Sequence, residues 1–284
     1  MNIKETAQKY NLDWEVAVEP LTLADGTPTS FNAVVRQDNR DTFACVKKYQ
    51  PFQNHDLLRL GYALSEESHL DVGKVISIDG GRKIMLQLRN KPIENIGKNN
   101  DTIEQYITVL NSHDGTSKLR WGLTNTTLSC KNQFFTIGKN MQSVRHTKNM
   151  MAQAHNMIDE LNAMKEVQAL QEEVLRELTY IPADKNKIDD FLYSMTGCDD
   201  DSHGKTLRKH DELYAAIRGE MAYKGENLWA LFEGATYYST HHGTREKTRE
   251  VSKIQGSLNK WDQKALQTVK RMMLQHVWWI KKPR

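Results

Sequence analysis

Residues 72–89 read VGKVISIDGGRKIMLQLR, two runs of mainly aliphatic residues on either side of Asp79-Gly80-Gly81. Glycine readily takes the positive φ that a tight turn between two strands requires. We therefore predict a β-hairpin whose strands are Val72–Ile78 and Lys83–Arg89, with Arg82 and Lys83 exposed at its tip.

Strand-like segments extend on both sides of this hairpin. Upstream, Ser30–Val35 and Thr42–Tyr49 are rich in aromatic and β-branched residues, and a short helix is predicted over Asp56–Ser65. Downstream, Ile103–Asn111 and Lys118–Thr124 flank a second turn at Ser112-His113-Asp114-Gly115. The first half of the chain is thus predicted to form an antiparallel sheet.

The second half has the periodicity of helices. Apolar residues recur about every 3.5 residues from Met150 to Leu178, which predicts one long amphipathic helix ending before Pro182. Other helices are predicted at Gln133–Val144, Ile188–Met195, Leu207–Ala222, Leu228–Thr240 and Leu258–Ile280. The predicted fold class is α+β, an antiparallel sheet with hairpins packed on a long helix and followed by a helical C-terminal region. We divide it into a core at 1–180 and a helical region with a basic tail at 181–284.

Composition is typical of a soluble globular protein, with 38% hydrophobic and 26% charged residues among 284. No stretch approaches the ~20 apolar residues of a membrane helix, and the polar N-terminus lacks the apolar core of a signal peptide. Three widely spaced cysteines do not suggest a disulfide framework. We expect a reducing compartment, the cytoplasm, and no membrane partner.

Basic and acidic residues are segregated along the chain, although the net charge is only +3. No acidic residue lies between Asp114 and Asp159, and Asp262 is the one acidic residue of the final segment, from Lys253 to Arg284. Such segregation favours basic surfaces that bind a polyanion, and a solvated charged face is the alternative.

Motifs for enzyme chemistry are weak. Gly197 to Thr206 resembles a phosphate-binding loop, but six residues rather than four separate its glycines and the preceding segment is helical in pattern. The His113-Asp114 doublet occurs in metal-dependent phosphohydrolases, yet a turn explains it better here. Cys198, His203, His241 and His242 lack the paired spacing of a zinc site. We therefore predict no enzyme activity, no cofactor and no metal.

Single-strand binding needs cations for the phosphates and flat rings for the bases. Trp121 alternates with Lys118 and Arg120 along a predicted strand, so we assign it to the core and the two cations to the opposite face. Two further basic pairs form secondary candidates, Lys47-Lys48 and Arg82-Lys83. The predicted nucleic-acid-binding residues are Lys118, Arg120, Lys131, Asn132, Lys139, Arg145, Lys148, Lys47, Lys48, Arg82 and Lys83.

Four landmarks in this order resemble the uncharacterised phage/plasmid-like protein family over residues 30–245. They are Val46-Lys-Lys-Tyr-Gln-Pro-Phe-Gln-Asn54, His113-Asp114-Gly115, Leu128-Ser-Cys-Lys-Asn132 and Asn227-Leu-Trp-Ala-Leu-Phe-Glu-Gly-Ala-Thr-Tyr-Tyr-Ser-Thr-His-His242. Lys131 stands where the family pattern has a small polar residue.

That family's order of sheet, hairpin and long helix is similar to phage single-strand annealing proteins of the Red-beta, RecT and Erf types. The resemblance implies an ATP-independent recombinase that binds single-stranded DNA, holds an annealed duplex intermediate and forms a homo-oligomeric ring or helical filament. It also implies an exonuclease and a single-strand-binding protein as partners in a bacterial host cytoplasm. With it, single-strand binding, annealing and oligomerisation are assigned to the core at 1–180.

Two other functions remain open from the sequence. A non-catalytic phage or plasmid accessory protein that acts through protein contacts would not bind single-stranded DNA tightly at moderate salt. A metal-dependent hydrolase built from the scattered His and Asp residues would contain metal when purified.

Overall fold

The computed structural model describes residues 3–127, 132–135, 142–199, 201–242 and 257–281. Antiparallel sheets and helices are both present and the chain ends in a helical region, so the predicted α+β class is confirmed. Within the described residues, no helix is both long and apolar enough to span a membrane.

The chain divides into two compact units. Unit 1 contains residues 1–90, 106–123 and 138–166, and unit 2 contains residues 91–105, 124–137 and 167–284. The division at residue 180 into an annealing core and a helical region assigns functions as well as boundaries, and it stays a prediction.

Unit 1 begins with helix α1 (Ile3–Lys9) and a three-stranded antiparallel sheet in the order β1-β2-β3. Its strands are β1 (Val16–Thr22), β2 (Pro28–Arg36) and β3 (Thr42–Val46). Helix α2 (Asn54–Ser68) follows, and Asp56 at its start accepts a hydrogen bond from the backbone N–H of Gln53. That bond satisfies one of the backbone donors near a helix N-terminus.

A larger antiparallel sheet has the order β4-β5-β6-β7-β8, with β9 also paired to β7. Its strands are β4 (Asp71–Ile78), β5 (Lys83–Ile96), β6 (Asp101–Ser112), β7 (Leu119–Thr127), β8 (Asn132–Phe135) and β9 (Gln142–Val144). A 3₁₀ turn at Asp79–Gly81 joins β4 to β5, which confirms the first predicted hairpin.

The core of unit 1 lies between α2 and one face of this sheet. Leu57 and Leu64 of α2 pack in the same cluster as Leu86 of β5, and all three are at most 1% exposed. A Cβ atom on Gly61 would lie 2.2 Å from Leu86 Cδ2, so the missing side chain lets the helix approach the strand. Trp121 belongs to this cluster and is 2% exposed, which confirms its assignment to the core.

Two helices follow β9 along the chain, α3 (Met150–His155) and α4 (Met157–Tyr180). They replace the single long helix that was predicted, with a break at Asn156. Unit 2 then contains α5 (Lys185–Thr196), α6 (Lys205–Lys224), α7 (Leu228–His241) and α8 (Ser257–Lys281).

Helix α7 is the centre of unit 2 and is buried on nearly all sides. Asn227 caps it by accepting a hydrogen bond from the Ala230 N–H at 2.9 Å. Trp229 and Phe232 are each at most 1% exposed. A Cβ atom on Gly234 would lie 2.6 Å from the Cα of Ile217 in α6, so the two helices are in backbone contact at this glycine.

Gly234→Ala is therefore expected to lower the free energy of unfolding by about 1–3 kcal/mol, because the added methyl group must push α6 away. Alanine's helix preference, about 1 kcal/mol over glycine, acts in the opposite direction and is smaller. Gly219→Ala in α6 is the matched control, since nothing lies within 4 Å of its Cβ position. It is expected to stabilise the protein slightly in the same urea-unfolding measurement, and destabilisation by both variants would contradict the packing argument.

The helix predicted over Gln133–Val144 is wrong. Residues 132–135 form β8, opposite Thr124–Thr127, and residues 142–144 form β9, opposite Leu119–Trp121. The Phe-Phe pair at 134–135 has strand propensity, and pairing with β7 satisfies backbone groups that a helix would have satisfied internally.

Candidate nucleic-acid interface

Two basic segments of unit 1 that are far apart in sequence are joined by a backbone hydrogen bond. The Gln50 N–H donates to the carbonyl oxygen of His146 at 3.0 Å. Lys47 and Lys48 precede Gln50, whereas Arg145 flanks His146 directly. The bond therefore brings the Lys47-Lys48 pair to the segment that begins at Arg145.

All four cations of these two segments are exposed, namely Lys47, Lys48, Arg145 and Lys148. The Tyr49 and His146 rings between them stack at 4.7 Å with an interplanar angle of 22°. The Tyr49 hydroxyl also donates to the Ser112 carbonyl oxygen at 2.7 Å, which ties the first segment to the end of β6.

Lys118 and Arg120 belong to the same region through the β7–β9 ladder. Leu119 pairs with Val144 at the end of this ladder, so Lys118 and Arg145 are the next residues beyond the paired ends of the two strands. Arg120 pairs with Ser143, is partly buried, and has an Nε atom that is buried without a hydrogen-bond partner. We call Lys47, Lys48, Lys118, Arg120, Arg145 and Lys148 the basic cluster.

An exposed aromatic ring that was not predicted from the sequence lies next to the cluster. Phe31 of β2 is 40% exposed, and the Lys47 ammonium lies 5.3 Å from its ring centroid. Asn32 fixes the two segments by donating from Nδ2 to the Lys47 carbonyl oxygen at 3.2 Å. The available signal was the polar neighbours Ser30 and Asn32, which are unusual around an aromatic residue that packs inside a sheet.

His146 contributes position rather than charge. Its Nδ1 lies 3.3 Å from the Gln50 carbonyl oxygen, the geometry of an N–H donating to that carbonyl. Burial lowers the pKa of His146 and outweighs the opposing effects of Gln50 and Asp114. The ring is therefore neutral at pH 7, and it stacks on Tyr49 without adding to the positive field.

Arg82 and Lys83 do not lie exposed at a hairpin tip, so that expectation is wrong. Lys83 is 9% exposed and pairs with the Asp114 carboxylate, while Arg82 donates to the carbonyl oxygens of Phe43 and Thr42. Burial alone would raise the pKa of Asp114, but hydrogen bonds led by the one from Lys83 outweigh it and lower that pKa. Both cations are engaged within unit 1.

Three predicted residues are not placed with the cluster. Lys131 and Lys139 lie outside the described residues. Asn132 opens β8 opposite Thr127, in unit 2, and its side chain also lies outside the description.

The His113-Asp114-Gly115 landmark is a structural turn between β6 and β7. His113 is fully buried, its Nε2 lies 2.9 Å from Asn54 Oδ1, and its ring centroid lies 5.5 Å from that of Trp14. Asp114 accepts from the Thr116 N–H at 3.0 Å, which closes the turn. This doublet is therefore engaged in packing and turn formation.

The other sequence motifs considered for chemistry are placed as follows. Among the described residues, no three His, Cys, Asp or Glu side chains converge as metal ligands. Gly204 precedes α6, and the segment before it is helix α5 rather than a strand. A phosphate-binding loop of the usual kind follows a strand, so this glycine pair does not form one.

Comparison with known proteins gives one family. No curated protein and no solved structure matches the chain. The family model described as Domain of unknown function (DUF932) matches residues 44–264, a range that contains the whole basic cluster and the whole of α7. Since the match spans well over half of the sequence, the chain belongs to the DUF932 family.

Proposed function

We propose that this protein binds single-stranded DNA through the basic cluster and anneals complementary strands without ATP, as a ring or filament of identical subunits. The observation that carries the proposal is the Gln50–His146 hydrogen bond, because it gathers cations from distant segments onto one region of unit 1. Cations from several segments can contact successive phosphates of a nucleic-acid strand that passes along the surface.

The charge of the cluster is available to phosphates. None of its six cations makes an ion pair with a described carboxylate, in contrast to Lys83 and Arg36 of the same unit. Uncompensated cations release counterions from a nucleic acid when they bind its phosphates, and that release supplies most of the affinity.

Phe31 supplies the second requirement of single-strand binding. A partly exposed ring can stack on a base of any sequence, and such stacking contributes about 1–3 kcal/mol per base. The Lys47 ammonium beside it would meet the phosphate of the same nucleotide. In this account the bases remain accessible to a second strand, and base pairing rather than covalent chemistry drives the reaction.

The site is tested with the variant Lys48→Ala/Arg145→Ala/Lys148→Ala, here called the cluster variant. Single strands lose a slope of about 0.7 in log K against log salt for each phosphate contact removed. We therefore expect the salt slope of oligothymidylate binding to become less negative by about 2, with a loss of affinity of at least tenfold at moderate salt. Fluorescence anisotropy of a labelled oligonucleotide measures both quantities.

The matched control is Lys9→Ala/Arg59→Ala/Lys74→Ala, which removes the same charge from three other exposed positions of unit 1. It should retain nearly the wild-type slope. Equal losses in both variants would mean that net charge alone matters, and a cluster variant that binds as tightly as the wild type would refute the site. Absence of binding by the wild-type chain would favour the accessory interaction protein.

A further inference from the structure

Unit 2 contains a separate surface on which lysines and flat rings from three helices meet. Its members are Lys205 and Lys209 of α6, Tyr238 and His242 at the end of α7, and Trp261 and Lys264 of α8. We propose that this lysine–ring surface is a second binding site for single-stranded nucleic acid, independent of the basic cluster in unit 1.

The rings form a continuous row. Trp261 and Tyr238 lie 5.2 Å apart between centroids, and Tyr238 and His242 lie 6.0 Å apart with an interplanar angle of 18°. Trp261 is held in place by its Nε1–H, which donates to the Ala235 carbonyl oxygen at 3.0 Å. His242 ends the row and is exposed, so its ring can extend the stack to a base.

The lysines lie against this row. The Lys209 ammonium is 4.3 Å from the Trp261 ring centroid, a cation–π distance. Burial lowers the pKa of Lys209, and the nearby charges of Lys264 and Lys205 lower it further. The Lys209 ammonium is thus repelled by two neighbouring ammonium groups, and a polyanion would offset that repulsion.

No carboxylate among the described residues forms an ion pair with these lysines, Lys205, Lys209 and Lys264. The Glu212 carboxylate lies 3.8 Å from the Arg208 guanidinium instead. Asp262 is 2% exposed and accepts a hydrogen bond from the Ser239 hydroxyl at 2.5 Å.

The rings favour a nucleic acid over an acidic peptide. A peptide of Asp and Glu would use the lysines alone, whereas a base can also stack on the exposed His242 ring. Single strands fit better than a duplex, because duplex bases are already stacked on one another.

The test uses the full chain with Lys205→Ala/Lys209→Ala/Lys264→Ala, in the wild-type background and in the cluster variant. The control is Lys98→Ala/Lys185→Ala/Arg218→Ala, three exposed cations of the same unit. Probes are a labelled oligothymidylate, an abasic strand of the same length and charge, and polyglutamate. In the cluster background we expect residual oligothymidylate binding that the lysine variant weakens at least tenfold, with a salt slope less negative by about 2.

His242→Ala separates stacking from charge. It should weaken binding of oligothymidylate several-fold and leave binding of the abasic strand unchanged, because only the former offers bases to stack. If the lysine variant binds like its control in both backgrounds, the second site is refuted while the proposed function stands. If polyglutamate competes as well as the abasic strand and His242→Ala has no effect, the nucleic-acid assignment is overturned. Loss of binding in the lysine variant but not in the cluster variant would support this site and refute the one in unit 1.

Discussion

Replacing Lys224 by methionine is expected to lower the free energy of unfolding of unit 2 by about 3–5 kcal/mol. Lys224 is 4% exposed, and its ammonium lies 2.8 Å from Asp101, 3.1 Å from Glu220 and 3.9 Å from Glu233. These three carboxylates are themselves buried and share this cation. Methionine fills similar volume but leaves their mutual repulsion without the positive charge that offsets it.

The control for this variant is Lys185→Met, since Lys185 also pairs with a carboxylate but is exposed. Solvent screens such a pair, so the substitution should leave stability nearly unchanged. Urea unfolding gives the totals, and hydrogen exchange of peptides from α6 and α7 assigns the loss to unit 2. If Lys224→Met unfolds at the same urea concentration as Lys185→Met, the three buried carboxylates are not stabilised by Lys224.

Acid should destabilise unit 1 through His113. Burial, with a smaller effect of His146, lowers the pKa of His113 from 6.5 to about 3. Below pH 6.5 the unfolded chain takes up a proton that the folded state accepts only near pH 3. Stability therefore falls as the pH is lowered through this window, by about 1.4 kcal/mol per pH unit.

His113→Gln removes this titration while keeping a donor that can reach Asn54. The variant should be less stable than the wild type at pH 8, because the ring contacts with Trp14 and Phe43 are lost. The difference in free energy of unfolding between the two proteins should become smaller as the pH falls towards 4, and urea unfolding at a series of pH values measures it. Gly234→Ala keeps His113, so its free energy of unfolding should change with pH in parallel with that of the wild type. If the free energy of His113→Gln also changes in parallel with the wild type, His113 does not titrate as described.

The elements that local sequence determines were predicted well. The Asp79-Gly80-Gly81 turn specifies its own hairpin, since Gly80 takes a φ of 66° and Gly81 a φ of 98°. Helices α5, α6 and α7 follow from apolar periodicity and clear boundaries, such as Gly197 after α5. Strand β1 was missed because its alternation is interrupted by Pro20 and it depends on pairing with β2.

Long-range contacts explain what the sequence could not predict. Lys83 looked exposed beside a glycine turn, but Asp114, from a distant turn, covers it. The meeting of residues 47–50 with 145–148 depends on tertiary folding, so the sequence identified these cations without showing that they gather. The contact between Phe31 and Lys47 was missed for the same reason, since it follows from the pairing of β2 with β3.

ATP-free annealing of two complementary oligonucleotides tests the proposed function most directly. Fluorescence quenching reports duplex formation with the wild-type chain, the cluster variant and its charge-matched control, each at two salt concentrations. We predict that the wild type and the control accelerate annealing, that higher salt reduces the acceleration, and that the cluster variant loses most of it. Annealing at the spontaneous rate in the presence of the wild-type protein, under salt conditions where it binds single strands, would contradict the proposal.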